Sequence, residues 1–368
     1  MPGTIEAEGV RLRHFDADDV ADVAAACSDP LTQRFLPGLP SPYTEADARW
    51  WVTEGAPAIR ATGGAAYAVT DPATDRLLGG VGLSNPIPAR GQAEIGYWVA
   101  PWARGRGVAS AATRALAAAA FRHDTARLEL LTHPENAASQ RVALAAGFRH
   151  EGVRRAATPA RDGSRHDRVC WVRLADDPPG PVDRALPDLP DGRLTDGVIT
   201  LRRLVPDDAE LMYRLHSRPE VVANQAPPVP PGWEAIQRRC RLAESNWLTG
   251  DIARMLITDA ATGEPAGSCG LSYTEPGIDE ASIGYALLPP WRGRGYATRA
   301  VRLLAGWAFG PAGIARLTAG TVPENTASHR VLERAGFHRE GLLVGRLPGL
   351  AGTRLDDLVF ALLPGDLR

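Results

Sequence analysis

Ile95-Gly-Tyr-Trp-Val-Ala-Pro-Trp-Ala-Arg-Gly-Arg-Gly-Val-Ala109 and Ile283-Gly-Tyr-Ala-Leu-Leu-Pro-Pro-Trp-Arg-Gly-Arg-Gly-Tyr-Ala297 are two versions of one segment, 188 residues apart. Nine of the fifteen positions are identical. In each version an apolar, strand-like run ends in a Gly-x-Gly turn and passes into a long stretch of helix-compatible residues. Glycine lets backbone approach a ligand closely. The first N–H groups of a helix have no internal acceptor and point outward at the positive end of the helix dipole. Such a turn suits a pyrophosphate. One Gly-x-Gly alone reads better as a tight turn with solvated arginines; recurrence of the turn with its strand and its downstream elements favours the binding reading. The spacing is not G-x-G-x-x-G, which disfavours a dinucleotide fold.

Working outward, the duplication continues. Pro134-Glu-Asn-Ala-Ala-Ser-Gln-Arg-Val142 runs parallel to Pro323-Glu-Asn-Thr-Ala-Ser-His-Arg-Val331, and Gly147-Phe-Arg-His-Glu-Gly152 to Gly336-Phe-His-Arg-Glu-Gly341. Near the starts, Leu12-Arg13 and Asp18-Asp19 match Leu201-Arg202 and Asp207-Asp208. The period is about half of the 368 residues, so the repeat is a whole domain rather than a solenoid unit. The expected division is a domain at 1–177, a linker at 178–195 carrying prolines 178, 179, 181, 187 and 190, and a second domain at 196–368. Strands alternate with helices in each copy and strand-to-helix turns are glycine-rich, which argues a mixed α/β sheet.

Composition narrows the chemistry. Arg plus Lys is 41 against 43 acidic residues, a net charge of −2, which calls for neither nucleic acid nor an anionic membrane as partner. There is no lysine in the chain. That excludes a Schiff-base lysine and a Walker-type phosphate loop. Cys27, Cys170, Cys240 and Cys269 form no C-x-x-C pair and no zinc-type cluster, so reduced buried thiols are expected and no metal. Residues 1–10 lack the apolar core of a signal peptide, and Ala115–Phe121 is too short to span a bilayer. A cytoplasmic protein is expected.

The Arg-x-x-Gly-x-Ala turn, the Ile-Gly-Tyr strand before it and the Asn-x-x-Ser…Gly-Phe…Glu-Gly block after it resemble the GNAT superfamily of N-acetyltransferases, within it the RimJ/RimL-type ribosomal-protein alanine acetyltransferases. The resemblance covers nearly all of both halves. It implies two tandem GNAT-like domains, each a mixed, mostly antiparallel sheet flanked by helices, and acetyl-CoA as acyl donor. The pantetheine arm would lie along Tyr97, Trp98 and Val99, and along Tyr285, Ala286 and Leu287. Unpaired strand amides at a splayed strand pair would bind it as an added strand, and one N–H would face the thioester oxyanion. The pyrophosphate would sit on Arg104, Gly105, Arg106, Gly107, Val108 and Ala109, and on Arg292, Gly293, Arg294, Gly295, Tyr296 and Ala297. Asn136 and Asn325 read as helix N-caps; the resemblance adds a bond to the pantetheine or the acetyl end. The Tyr acid that many members carry seven residues after this Asn is absent, because Ala143 and Leu332 stand there. Ser139 and Ser328 are the expected substitutes.

An amine nucleophile must lose a proton, and a carboxylate can take it. Glu94, at the start of the strand entering the first site, is the expected base; Ser282 matches it in the second copy, with Asp279 and Glu280 upstream. Glu151 and Glu340 are alternatives. The acceptor regions differ most between copies, with Phe35, Tyr43, Trp50 and Trp51 in one and Trp233 and Trp247 in the other, so the copies are not expected to share one acceptor. That acceptor is an amine-bearing small molecule or a peptide or protein amino terminus. Asp16, Asp18, Asp19, Asp22 and Asp29 would suit a cationic acceptor or simply line an exposed helix face. The competing function is an acyl-CoA-binding sensor or scaffold with one or both domains inactive.

Overall fold

The computed structural model describes all 368 residues and divides into two compact units, Met1–Asp183 and Arg184–Arg368. In the first unit the strands are β1 (Thr4–Ala7), β2 (Val10–Arg13), β3 (Ala65–Thr70), β4 (Leu77–Ile87), β5 (Gln92–Val99), β6 (Arg127–Thr132), β7 (Arg149–Pro159) and β8 (Arg165–Leu174). They form one sheet in the order β1-β2-β3-β4-β5-β6-β8-β7. Every neighbouring pair is antiparallel except β5 and β6. The helices are α1 (Val20–Cys27), α2 (Pro30–Phe35), α3 (Glu45–Trp50), α4 (Ala56–Ala61), α5 (Val108–Phe121) and α6 (Ala137–Ala145), with a π-helical turn at Trp51–Gly55 joining α3 to α4.

Local chemistry places these elements. Asp16 caps the turn before α1 and Asp19 closes a capping box with it. Asp29 caps α2, with Pro30 at its first position. Helix α5 buries Val108, Ala112, Leu116 and Ala120 against the sheet, a 3.6-residue period on an alanine-rich segment. The small side chains let helix and strands approach closely. Trp171, Tyr67 and Phe148 are the largest fully buried groups of this unit.

The second unit repeats the plan. Its strands are β9 (Arg193–Thr195), β10 (Ile199–Arg203), β11 (Ile252–Asp259), β12 (Pro265–Glu275), β13 (Glu280–Leu287), β14 (Arg316–Thr321), β15 (His338–Pro348) and β16 (Arg354–Leu362). The sheet order is β15-β16-β14-β13-β12-β11-β10-β9, again with one parallel pair, β13 and β14. Its helices are α7 (Ala209–His216), α8 (Pro219–Val222), α9 (Trp233–Arg241), α10 (Ala243–Leu248), α11 (Tyr296–Phe309) and α12 (Thr326–Ala335). The mixed, mostly antiparallel sheet flanked by helices is therefore present twice. In both units no helix is long and apolar enough to cross a membrane.

Residues 178–195 differ from a free extended linker. The Val182 N–H donates to the Leu144 carbonyl at 2.9 Å. Leu186 and Leu189 are buried in the core of the second unit, and Arg193–Thr195 forms its edge strand. Trp247, expected among the acceptor aromatics, is instead core. It is 1% exposed and its indole N–H donates to the Pro187 carbonyl at 3.0 Å. Apolar side chains between the prolines had somewhere to be buried, and that decided the segment's conformation.

Candidate active site

Both sheets open at the same place. Strand β5 pairs with β4 through to Val99 but with β6 only at Gln92–Glu94. Strand β13 likewise pairs with β14 only at Glu280–Ser282. From Ile95 and Ile283 onward one edge of the strand has no sheet partner. Gly96 and Gly284 lie in the opening, exposed, with nothing within 4 Å of where a Cβ would stand. Backbone amides there are free to pair with an extended, amide-bearing arm. Tyr97, Trp98 and Val99, and Tyr285, Ala286 and Leu287, lie along this open edge.

The turns follow directly. Gly105 and Gly107 have φ of +72° and +77°, and Gly293 and Gly295 of +75° and +79°. These left-handed conformations strain any L side chain. All four glycines face open space. Gly107 and Gly295 are the residues before α5 and α11, so the first N–H groups of each helix point out of the turn. A glycine cradle with free helix N–H groups at the end of an open strand edge fits a pyrophosphate attached to a pantetheine arm. The arginines differ. Arg104 donates to Asp29 and, at 2.9 Å, to the Thr32 hydroxyl. Arg292 donates to the Leu287 carbonyl at 3.0 Å and stands 3.4 Å from Glu220. Arg294 lies over the Trp291 ring. The Tyr296 side chain is buried and donates to Asp259, so only its backbone faces the turn.

Asn136 and Asn325 are helix caps. Their side-chain oxygens accept the N–H of Ser139 at 3.1 Å and of Ser328 at 3.2 Å. The two serines meet the strand tyrosines: Tyr97 OH lies 2.7 Å from Ser139 Oγ and Tyr285 OH 2.7 Å from Ser328 Oγ. Burial pushes both phenols up, Tyr285 to about 12. A phenol is thus present beside each serine, supplied by the strand rather than by the helix. The Ile-Gly-Tyr motif held that signal.

The carboxylates resolve into structural and available ones. Glu151 accepts two bonds from Arg127, at 3.0 and 2.6 Å, and is held below the usual carboxylate range by them. Glu340 and Glu280 are both held by Arg316. Asp19 accepts from Arg13 at 2.7 and 2.9 Å, and Asp16 and Asp29 are caps, so these acids do not form a groove for a cationic acceptor. Glu129, Glu151 and Cys170 come within 4.8 Å of one another, and Arg127 and Arg154 neutralise the two carboxylates. Glu94 remains available, accepting one bond from the Asn85 amide at 3.1 Å.

Asp357 went unnoticed in the sequence. It lies on β16 and is 4% exposed, with Oδ1 lacking any hydrogen-bond partner. A Cβ on Gly320 would lie 2.5 Å from that oxygen, so the carboxylate stands over β14 on the side opposite the α11–α12 core. Burial raises it, while Arg346 at 3.6 Å and the Thr321 N–H act the other way. By strand register Asp357 matches Arg168, and Ser282 matches Glu94. Each domain therefore has a carboxylate on this face, offered by a different strand: Glu94 bonded to Asn85, and Asp357 buried and paired with Arg346.

Gly270, Gly284 and Ser268 floor a cavity of about 840 Å³ in the second domain. It is continuous from the turn at Arg292–Thr298 past Ser328 to Met212, His216, Arg239 and Arg254. In the first domain the Trp98 indole lies against Gly80, with Nε1 2.6 Å from where a Cβ would be, and packs with Trp51, Tyr43 and Phe15 on the apolar face of α1 and α3. Ala286 stands at the place of Trp98 and leaves that space open.

The family described as Acetyltransferase (GNAT) domain matches residues 10–149 and again 199–338. The uncharacterized N-acetyltransferase p20 of Bacillus licheniformis is 31% identical over 167 residues, 45% of this chain and 92% of that protein. The probable N-acetyltransferase YjcK of Bacillus subtilis is 40% identical over 89 residues, 24% of this chain and 49% of that one. Among solved structures, Mycobacterium smegmatis RimJ in complex with CoA-disulfide is 26% identical, covers 48% of this chain and 86% of its own, and has a TM-score of 0.42. The match of one family to most of each half, on the splayed strand and the glycine turn in both, makes the chain a member of the GNAT acetyltransferase family, with the domain present twice.

Proposed function

We propose that this chain is an acetyl-CoA-dependent N-acetyltransferase whose turnover is carried mainly by the second domain, at 196–368. One observation carries the reading: the 840 Å³ cavity joins the open edge of β13 and the Gly293–Gly295 turn to an acceptor side in one continuous space. Bound acetyl-CoA supplies the thioester whose acetyl group passes to a primary amine, with the free thiol as second product. Asp357 Oδ1 accepts the amine proton, directly or through one water. A free N–H of β13 donates to the carbonyl oxygen as it gains charge. Ser328 Oγ, backed by Tyr285 OH, holds a proton for the departing sulfur. In the first domain Glu94, Ser139 and Tyr97 take the corresponding parts, and the turn at Arg104–Ala109 binds the same donor.

A second reading has its own observation. Trp98 fills the space that Ala286 leaves open, which supports a first domain that binds acyl-CoA without turning it over. The test is thiol release by the full chain from acetyl-CoA over a panel of primary amines and peptides. Amine-dependent release that is abolished by Asp357→Asn is expected. Acetyl-CoA binding without release to any amine would leave only the binding function.

A further inference from the structure

The acceptor side of the second domain gathers two arginines and a neutral histidine, whose Nδ1 lies 3.3 Å from the Gln225 amide nitrogen. Arg254 lies on β11, His216 ends α7 and Arg239 lies on α9, and all three line the cavity. The Arg254 Nη1 atom is buried with no hydrogen-bond partner. Burial and then Arg239 push this guanidinium below its usual range, and no carboxylate acts against them. Burial, Arg239 and Arg254 together hold His216 down to about 4. Nearby acids are engaged elsewhere. Asp208 accepts two bonds from Arg202, at 2.8 and 2.7 Å, and Glu220, the one carboxylate among the lining residues, stands at Arg292. A buried guanidinium beside a second arginine costs stability unless an anion joins them.

The position separates this cluster from the donor's own phosphates. Strand register puts Arg254 opposite Gly270, and Gly270 opposite Gly284. Arg254 is therefore level with the middle of the open strand edge, about two strand spacings or roughly 10 Å away from it. The pyrophosphate turn lies beyond the strand's end, at Arg292–Tyr296. An amine at Gly284 and Gly320 would have its remaining groups directed toward Arg254.

We infer that the acceptor of the second domain is a small amine that also bears an anionic group, a carboxylate or a phosphoryl group, which Arg254 and Arg239 bind. This deepens the proposed N-acetyl transfer and rests on it. The first domain lacks this pair, because by strand register Ala66 stands at the place of Arg254.

The experiment measures acetyl transfer by the full chain at saturating acetyl-CoA to matched amines: β-alanine against β-alaninamide, and phosphoethanolamine against ethanolamine. At least a roughly 30-fold higher kcat/KM is expected for the anionic member of one pair, as a charge-assisted bond in a desolvated site allows. Which pair shows it identifies carboxylate or phosphoryl. The preference is expected to collapse in Arg254→Met and in Arg239→Met, which keep the apolar stem, with acetyl-CoA affinity unchanged. Equal rates within both pairs overturn the inference while leaving N-acetyl transfer in place. If no amine is acetylated, N-acetyl transfer fails, and calorimetric titration with β-alanine and phosphoethanolamine decides the anion site alone. Binding lost in Arg254→Met sustains it, and no binding overturns it.

Discussion

At four matching places on the acceptor side, the first domain has Cys27, Trp51, Ala66 and Trp98 and the second has His216, Arg239, Arg254 and Ala286. Everything that would hold the donor is nearly the same in both: the three-residue parallel pairing, the left-handed glycines, the Asn cap, and the Tyr–Ser hydrogen bond at 2.7 Å. The first domain fills the space beside Trp98 with apolar bulk, leaving a smaller hollow of about 330 Å³ at Arg34, Arg161 and Arg168, while the second keeps one large cavity at Ala286 that reaches Arg239 and Arg254. The two copies keep one surface nearly alike and differ on the other; the proposed donor surface is mainly backbone and the proposed acceptor side is mainly side chains.

The largest effect should come from the carboxylates. Asp357→Asn is expected to lower kcat by about 10²–10⁴, the usual worth of a positioned proton acceptor. Glu94→Gln should leave most turnover intact; the reverse result would move the main site to the first domain. The acidic limb of the rate profile should lie above the ordinary Asp value and disappear in Asp357→Asn, since burial raises Asp357 and the protonated form cannot accept.

Exchanging the filler sharpens the comparison next. Trp98 lies where Gly80 has no Cβ, and Ser268 stands at Gly80's place, so Ala286→Trp must be made together with Ser268→Gly. That double variant is expected to lower kcat/KM by roughly 100-fold, a loss of about 2–3 kcal/mol in acceptor binding. Acetyl-CoA affinity, read by calorimetry, should hold. Equal losses of both would mean that the cavity serves the donor instead.

The turns should respond alike in the two domains. Gly107→Val and Gly295→Val force a β-branched residue to positive φ, at about 1–2 kcal/mol, and crowd the phosphate site. Each should weaken CoA binding at its own site by tenfold or more. Unequal losses at the two sites would break the equivalence of the donor surfaces.

A smaller shared effect concerns pH. His133 and His216 are both held down to about 4, chiefly by burial. Their neutral forms fit the fold, whereas the unfolded chain takes up protons near 6.5. Stability contributed this way is full above about 6.5 and is lost as pH falls toward 4. Arg168, His166 and Arg34 face His133 against Glu135, and Arg239 and Arg254 face His216, so added positive charge finds little relief. His216→Gln and His133→Gln should each flatten the fall of Tm between pH 6.5 and 4.5.

Much of the geometry of the proposed donor site was legible because its signals are local. A glycine that must adopt positive φ, an Asn before a helix and an Ile-Gly-Tyr strand each act within a few residues. The Pro-rich segment misled because buried leucines outweighed its composition. Trp247 is core, as aromatics in such a region more often are. Asp357 has no motif around it, and the tyrosine beside each serine comes from a strand far from that serine in the chain.

The sequence by itself determined that one domain occurs twice, that its sheet is mixed, and that each copy carries a phosphate-type turn after an apolar strand. Short-range backbone preferences and hydrophobic period suffice for those. Only the tertiary structure decided which carboxylate is available, that Trp98 closes one acceptor side, and that His216, Arg239 and Arg254 share one cavity. These depend on the register between strands and helices far apart in the chain, and on which charges find a partner there. Neither is written in the neighbours of any single residue.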